Sequence, residues 1–186
     1  MNIVFLILGI VVVLLIIWII VVYNRLIINK NRMHEAWSMI DVFLKKRYDL
    51  VPNLVEIVKG YSAHEKKVLE EVTRYRSEAM QAKSTETQIP QEMKLEKSLH
   101  RLLVVMEKYP DLKADQHFLK LQQQLSDMES DLEMARRYYN GTVRENNIYQ
   151  ESFPSNIIAK IFHFRNGIFF TSELHERSVP NIHLES

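Results

Sequence analysis

The chain has 186 residues, with 24 Lys and Arg against 23 Asp and Glu and a formal net charge of +1 at pH 7. This balance argues against binding of nucleic acid through bulk charge, because nucleic-acid modules usually carry a strongly basic face. The sequence contains no Cys, which excludes Cys nucleophiles and agrees with a reducing compartment.

The first predicted element is an uncharged apolar run from Ile3 to Tyr23. About 21 residues at about 1.5 Å per residue give about 31 Å, which matches the hydrocarbon thickness of a bilayer. A cleaved signal peptide is the alternative, but the run is too long for one and no basic residue precedes it. A buried core helix also fits poorly, because the run is apolar on every face. The sequence therefore predicts a transmembrane anchor over residues 1–24.

Basic residues flank this run on its C-terminal side only. Arg25, Lys30 and Arg32 come before the first acidic residue, Glu35. By the positive-inside rule, the side that holds Arg25 stays in the cytoplasm. The sequence thus predicts a single-pass protein with its N-terminus outside and its C-terminal domain in the cytoplasm. Tyr23 falls at the expected headgroup level, so Tyr23 and Arg25 are predicted to lie at the membrane interface.

The rest of the chain, about 160 residues, is long enough for one compact domain. The whole sequence has four Gly and five Pro, and its content of Leu, Met, Glu, Gln, Lys and Arg favours long helices with few turns. No segment between Asn31 and Glu151 alternates as a strand does. The sequence therefore predicts an all-α domain over residues 25–152.

The first helix of this domain is predicted to stop near Val51, because Pro52 disfavours helical geometry before it and lacks a backbone donor. Its apolar residues recur in alternating steps of 4, 3 and 4: Met33, Trp37, Ile40 and Leu44. A second helix is predicted from about residue 53 to residue 83. Residues 84–91 are predicted to form a loop.

A third helix is predicted to end at residues 109–110, and Asp111 is predicted to cap the fourth helix. The fourth helix, predicted to reach Glu151, has the strongest periodicity in the chain. Its apolar seam follows the alternating 3 and 4 spacing of a coiled coil: Phe118, Leu121, Leu125, Met128, Leu132, Ala135, Tyr139 and Thr142. Four such helices with short connections predict an antiparallel four-helix bundle with long helices.

Two charged residues fall at positions where the helical stripes require apolar ones. Arg47 continues the first stripe past Leu44, and Glu65 fills the gap between Tyr61 and Val68. One interpretation is a buried polar network that fixes helix register or receives a partner group. The other is that the helix phase drifts and both side chains reach solvent. Both interpretations stay open at this point.

An apolar segment over residues 153–170 follows the predicted bundle. Its apolar residues recur at positions i, i+1, i+4 and i+5, and basic residues lie among its aromatic ones, which suits a lipid interface. Phe162, Phe164 and Phe169 are the predicted interface residues. The alternative is a short helix that caps the open end of the bundle core. Residues 171–186 are predicted to form a polar tail.

The sequence lacks the residue patterns of the catalytic sites that a helical bundle can house. A di-iron site requires Glu three residues before His on two helices, and none of the seven His meets this condition. His-Glu pairs at residues 34–35 and 64–65 begin like a zinc-protease motif, but Ser38 and Val68 stand where the second His belongs. Gly-rich phosphate loops and G-x-S-x-G are also absent. The sequence predicts a protein that is not an enzyme and uses no cofactor or metal.

Several separate blocks of the chain resemble the bacterial LemA family. These blocks are Tyr23–Leu26, Glu35–Val55, Val58–Glu65, Tyr109–Gln122, Ala135–Asn140 and Phe153–Phe164. They occur in the order of the family, and the resemblance extends over about residues 23–170. The chain departs from the family pattern at residues 146–147, where Asn-Asn replaces the usual Tyr-Asn, and in its tail, which lacks the usual closing Phe. The resemblance implies a single N-terminal anchor, an N-out topology and a helical-bundle domain, and it implies no established activity.

These features together predict a scaffold or interaction protein, anchored in the bacterial inner membrane, that faces the cytoplasm and organises the membrane. The alternative function is a regulatory binding partner of a membrane protease or transport system. The expected partners are the lipid bilayer, further copies of the chain in a homo-oligomer, and an unidentified membrane protein. Nucleic acid is not an expected partner.

Overall fold

A computed structural model describes residues 2–61 and 65–170, and these ranges contain six α-helices. The helices are α1 (Asn2–Tyr61), α2 (Lys66–Met80), α3 (Thr85–Met106), α4 (Pro110–Ala114), α5 (Gln116–Glu151) and α6 (Ser155–Ile161). No strand occurs in the described ranges, and the all-α prediction is confirmed there. The polar tail predicted at residues 171–186 lies outside the described residues.

Helix α1 is a single helix of 60 residues that continues through Pro52. The predicted stop near Val51 is therefore wrong. A proline inside a helix leaves the carbonyl four residues earlier without its usual donor. Here that carbonyl belongs to Tyr48, and Arg76 of α2 donates its Nε–H to it over an N to O distance of 2.6 Å. A side chain of the neighbouring helix thus replaces the hydrogen bond that Pro52 cannot make.

The N-terminal part of α1 is long and apolar enough to cross a membrane, judged by length and composition. None of its most apolar 18-residue stretch is buried against protein. Burial in the main core begins further along the same helix and follows one face: Ala36, Ile40, Leu44, Arg47, Val51, Leu54 and Val58. The helix is not interrupted between residues 24 and 25, where the anchor was predicted to give way to the domain. One helix therefore supplies both an exposed apolar part and a central core element.

The helix predicted over residues 53–83 is divided, since α1 ends at Tyr61 and α2 begins at Lys66. The third helix also ends earlier than predicted, at Met106, and the short helix α4 follows it. In the described part of the chain five helices thus follow α1, whereas the sequence predicts three helices after the first one of the domain.

Helix α3 begins at Thr85, and the loop predicted over residues 84–91 is wrong for most of its length. Ser84 and Thr87 form a capping box, in which each side chain accepts a hydrogen bond from the backbone N–H of the other residue. This cap satisfies two N–H groups that a helix start leaves without partners. The helix can therefore begin five residues ahead of Pro90.

Helix α5 is capped by Asp115 and not by Asp111. The Oδ1 atom of Asp115 accepts from the N–H groups of the second and third helical residues at 2.7 and 3.1 Å. The helix ends at Glu151, as predicted. Leu121 is half-buried, and the other predicted seam residues are buried: Phe118, Leu125, Met128, Leu132, Ala135, Tyr139 and Thr142.

Helix α1 is the central element, because it packs against α2, α4, α5 and α6, while α2 packs against α3. The main hydrophobic core runs along the helices from Ala36 of α1 to Val143 of α5 and includes Phe170 after α6. A second, smaller core lies where α6 meets α1: Val22, Leu26, Ile158 and Ala159. This second core adjoins the exposed apolar part of α1.

Candidate functional site

The structure brings three of the predicted interface residues together where α6 packs on α1. The ring of Tyr23 lies 4.8 Å from that of Phe162 and 5.9 Å from that of Phe164, measured between ring centroids. Phe164 is half-buried and packs on the second core, whereas Phe162 is exposed. Arg25 is exposed on α1, and Phe169 is exposed in the segment after α6. Tyr23, Phe162 and Phe164 form an aromatic cluster directly after the apolar part of α1.

The outer face of α6 is apolar and open to its surroundings. Ile161 is 60% exposed and Ile157 is 47% exposed, while Ile158 points into the second core. Phe153, just before the helix, is 81% exposed. Helix α6 ends at Ile161, so the helical spacing that the sequence suggests for the segment stops there. The short helix thus covers α1 with one face and presents Ile and Phe side chains with the other.

The C-terminal segment, defined as residues 162–170, is held on α5 by two asparagine side chains. Asn147 donates to the carbonyl of Gly167 at 3.0 Å and accepts from its N–H at 2.8 Å. Asn140 makes the same pair of hydrogen bonds with the backbone of Phe170, at 2.9 and 2.8 Å. The two asparagines lie two helical turns apart on one face of α5. We call this arrangement the amide clasp.

The end of the C-terminal segment enters the main core. The Phe170 ring stacks on Trp37 of α1, with 6.1 Å between the ring centroids. The guanidinium of Arg136 in α5 lies 4.3 Å from the centroid of the Phe170 ring. Tyr139 donates its hydroxyl to the carbonyl of Ile168 at 2.8 Å, and burial raises the pKa of Tyr139 to about 12. The end of the segment is therefore fixed by both aromatic packing and hydrogen bonds.

Arg47, one of the two charged residues singled out from the sequence, lies in the middle of the domain with no exposed surface. Its guanidinium contacts Glu92 of α3 at 3.2 Å and Glu129 of α5 at 2.8 Å. Tyr48 donates its hydroxyl to the other oxygen of Glu92. We call these four residues the ion cluster. Together with Arg76 of α2, which binds the Tyr48 carbonyl, the cluster links α1, α2, α3 and α5 at one level.

The ion cluster shifts the titration of its own members. Burial raises the pKa of the Glu92 carboxyl, while the Arg47 guanidinium and the Tyr48 hydroxyl oppose that rise. Burial and the negative charge of Glu92 raise the pKa of Tyr48 above its ordinary value. Since Arg47 and Glu92 have no exposed side-chain surface, a ligand in solvent cannot reach them without movement of the helices. The arrangement is suited to fixing helix register.

Glu65, the other charged residue singled out, lies at the N-cap position of α2 and is half-buried. It accepts a hydrogen bond from the Tyr109 hydroxyl at 3.0 Å, whereas the Arg47 guanidinium binds Glu92 and Glu129. Nearby, Tyr61 at the end of α1 donates to Asp115 at 2.8 Å, and this hydrogen bond lowers the pKa of Asp115. These contacts join the end of α1 and the start of α2 to the region around α4.

Sequence reasoning missed Glu92, although a signal for it exists. Counting back from the α3 stripe that contains Leu95 and Leu99 reaches position 92, just as the α1 stripe reaches Arg47. Opposite charges at both interruptions would have suggested a buried pair. Asn140 and Asn147 carry no comparable signal, because two polar residues seven apart on a helix are ordinary on a solvated face.

Within residues 2–61 and 65–170, no group of three metal-ligating side chains is placed to hold a metal ion.

The model of the LemA family matches residues 36–184 of the chain. The chain is also similar to "Protein LemA" of Metamycoplasma hominis, with 28% identity over 166 residues that cover 88% of this chain and 75% of that protein. The family match thus includes the ion cluster and the amide clasp.

Proposed function

Since the chain belongs to the LemA family, we propose that it is a membrane-anchored helical-bundle protein that acts by binding and not by catalysis. The apolar part of α1 crosses a bacterial cell membrane with the N-terminus outside, and the domain stands on the cytoplasmic face. The observation that carries this proposal is the continuity of α1, whose exposed apolar part and buried core part form one helix. A domain fixed to its anchor without a linker is suited to hold partners at a set position on the membrane.

We further propose that α1, α2, α3 and α5 form the antiparallel four-helix bundle that the sequence predicts. Contacts between α1 and α5 support it, because Tyr61 meets Asp115 while Trp37 meets Tyr139, so residue numbers run in opposite directions. The ion cluster supports it as well, since all four of these helices contribute to that one level of the domain.

In this proposal α6 and the aromatic cluster lie in the lipid interface. Exposed Ile and Phe side chains there would contribute about 1.5 to 3 kcal/mol each when fully buried in lipid. Lys160 and Arg165 would add about 1 kcal/mol each near an anionic surface. Such contributions keep the end of the domain on the membrane surface, while the apolar part of α1 supplies the anchor.

A fluorescence experiment on the full-length protein in vesicles tests this placement. Because the sequence contains no Cys, a bimane label can be attached at a single introduced site, Ile161→Cys. Met134→Cys, at an exposed position of α5, is the control. We expect spin-labelled lipids to quench the label at position 161 and to leave the label at position 134 unquenched. Equal quenching at both positions, or none at position 161, would contradict an interfacial α6.

Orientation is tested separately with reporters fused after Ser186. A reporter that is active only in the cytoplasm should work in this fusion. Several Lys residues added before Ile3 should weaken or invert the result, because basic flanking charge sets orientation. Reporter activity only outside the cell would contradict the proposed topology.

Capture of the full-length protein in detergent, followed by mass spectrometry, distinguishes a scaffold from a regulator. Recovery of the chain itself with lipid, and of no other protein in stoichiometric amount, supports a scaffold. Recovery of one membrane protease or transport protein in stoichiometric amount supports the alternative, a regulatory binding partner.

A further inference from the structure

A cavity of about 460 Å³ lies between α1, the start of α3, α5 and the C-terminal segment. Its apolar wall includes Tyr23 and Phe164, which belong to the aromatic cluster next to the apolar part of α1. Its volume falls within the range of small-molecule sites, which measure about 300 to 1,000 Å³. Neither the ion cluster nor the outer face of α6 forms part of this cavity.

Positive charge predominates in the cavity lining. Lys30 of α1 and Arg165 of the C-terminal segment line it, and Glu86 is the one acidic residue among the described lining residues. No acidic side chain in the described ranges forms a salt bridge with Lys30 or Arg165. Two cations that come from different elements and lack an acidic partner are suited to bind a phosphate group.

Asn146 adds a hydrogen-bond requirement to this charge. Asn146 lines the cavity and is only 1% exposed, yet its Oδ1 atom has no hydrogen-bond partner in the protein. The orientation of its amide is fixed, because Asn147 Oδ1 already accepts from the Gly167 N–H and also accepts from Asn146 Nδ2 at 3.2 Å. A buried acceptor without a donor is costly, so a ligand that fits this site should carry a donor such as a hydroxyl.

We propose that this cavity binds the headgroup of an anionic phospholipid whose phosphodiester carries a hydroxylated substituent, as in phosphatidylglycerol. Lys30 and Arg165 bind the phosphate, and the headgroup hydroxyl donates to Asn146. The aromatic cluster accepts the apolar part of the lipid, which enters from the bilayer that surrounds the start of α1. The proposal rests on the proposed function for the location of the cavity at the membrane, and it adds a specific ligand.

Native mass spectrometry of the full-length protein in detergent tests the proposal with phosphatidylglycerol and phosphatidylmethanol as probes. Both lipids carry one negative phosphodiester, and only the first has headgroup hydroxyls. We expect the unmodified protein to bind phosphatidylglycerol more tightly than phosphatidylmethanol. Glycerol 3-phosphate serves as a soluble competitor, and displacement of the lipid at equal concentration would show that the site binds a soluble phosphate ester and overturn the lipid assignment.

Two sets of variants separate charge from hydroxyl recognition. The pair Lys30→Gln and Arg165→Gln should raise the apparent Kd for both lipids by about tenfold or more. The control pair Lys45→Gln and Arg144→Gln removes the same charge from exposed positions outside the cavity and should leave both affinities unchanged. Equal losses of lipid affinity in the two pairs would show that bulk charge accounts for the binding, and this result would overturn the proposed site.

The variant Asn146→Ala should abolish the preference for phosphatidylglycerol and retain the binding of phosphatidylmethanol. Its thermal unfolding, measured in parallel, separates loss of a ligand contact from loss of the fold. Unchanged preference in a folded Asn146→Ala protein would overturn the role of the hydroxyl. Because binding in detergent does not depend on insertion into a bilayer, failure here is distinguishable from failure of the membrane placement, which the bimane quenching reports.

Discussion

The middle of the domain and its C-terminal end solve the same packing problem with different chemistry. In the middle, the ion cluster joins regular helices, and Arg47 contacts Glu92 and Glu129 through side chains alone. At the end, the amide clasp joins a helix to an irregular segment, and the side chains of Asn140 and Asn147 bind backbone groups.

The difference follows from what each backbone needs. A helix satisfies its own N–H and C=O groups, so buried side chains between helices pair mainly with one another. Residues 162–170 form no helix, and their backbone groups require partners from elsewhere. An asparagine amide offers one donor and one acceptor side by side, which matches the N–H and C=O of a single residue. Charged side chains therefore pair with one another between the regular helices at Arg47, and amides pair with backbone groups along the irregular segment.

The largest loss of stability is expected when the ion cluster is broken at Arg47. Arg47→Met leaves the buried Glu92 carboxyl without its cation and should lower the free energy of unfolding by about 3 to 5 kcal/mol. Arg101→Met, which removes one partner of an exposed pair with Glu71, should lower it by no more than about 1 kcal/mol. Thermal or chemical unfolding of the full-length protein in detergent measures both changes.

A double variant sharpens this test of the ion cluster. Arg47→Met combined with Glu92→Met removes both fully buried charges and should recover most of the lost stability, because the carboxylate that still loses Arg47 is that of Glu129, which is partly exposed to solvent. A double variant as unstable as Arg47→Met alone would mean that helix packing, and not the unpaired carboxylate, causes the loss.

A smaller and more local effect is expected at the amide clasp. Asn147→Leu leaves the N–H and C=O of Gly167 without their side-chain partner and should destabilise the C-terminal segment by about 1 to 3 kcal/mol. Hydrogen exchange should accelerate at residues 165–170 and stay unchanged around Arg47. Asn53→Leu, at an exposed position of α1, is the control and should not alter exchange in either region. Acceleration throughout the domain would show that the two regions unfold together.

The ion cluster and the hydrogen bond between Tyr61 and Asp115 should make opposite contributions to the pH dependence of stability. Burial raises the pKa of Glu92, so its contribution to stability is present below the unfolded pKa and is lost as the pH rises through the folded pKa. The hydrogen bond from Tyr61 lowers the pKa of Asp115, so its contribution is present above the unfolded pKa and is lost as the pH falls through the folded pKa.

Variants isolate these opposite signs. As the pH falls from about 7 to about 4, the unmodified protein should gain stability relative to Glu92→Gln, because the Glu92 carboxyl has a raised pKa in the native protein. Below about pH 4, it should lose stability relative to Asp115→Asn, because the Asp115 carboxyl has a lowered pKa in the native protein. Unfolding of the three proteins over a pH series checks the signs. Curves that stay parallel would contradict both assignments.

The smallest effects are expected from two glycines. A Cβ at Gly167 would overlap the sulfur of Met33 and approach Val143, so Gly167→Ala should destabilise by about 1 kcal/mol after the flexible Met33 side chain moves. Gly141→Ala lies in α5 with open space around it and should stabilise by about 0.5 to 1 kcal/mol, because Ala is the better helix former. Melting temperatures that shift in the same direction would contradict this contrast.

Periodicity in the sequence was sufficient for the seam of α5, which has long uninterrupted heptad spacing and ends at Glu151 as predicted. It failed at Pro52, because the rule that proline ends a helix considers only the helix itself. The donor that rescues the Tyr48 carbonyl is Arg76, which is 28 residues away in sequence and belongs to another helix. Local rules cannot identify such a partner before the packing is known.

The sequence indicated that Arg47 interrupts an apolar stripe, yet it left open whether this side chain is buried. The answer depends on Glu92 and Glu129, which are 45 and 82 residues away and become neighbours only in the folded domain. The cavity beside Asn146 was beyond sequence reasoning for the same reason, since α1, α5 and the C-terminal segment each supply part of its wall.

Because α1 has no joint, the two cores along it share one angular setting. Leu26 in the second core and Ala36 in the main core are ten residues apart, which corresponds to about 15 Å of helix. One residue inserted between them would turn Val22 and Leu26 by about 100° away from α6 while the main core stayed in place. The number of residues between the two cores therefore sets their relative rotation about α1, and this number is constrained whatever side chains the stretch carries.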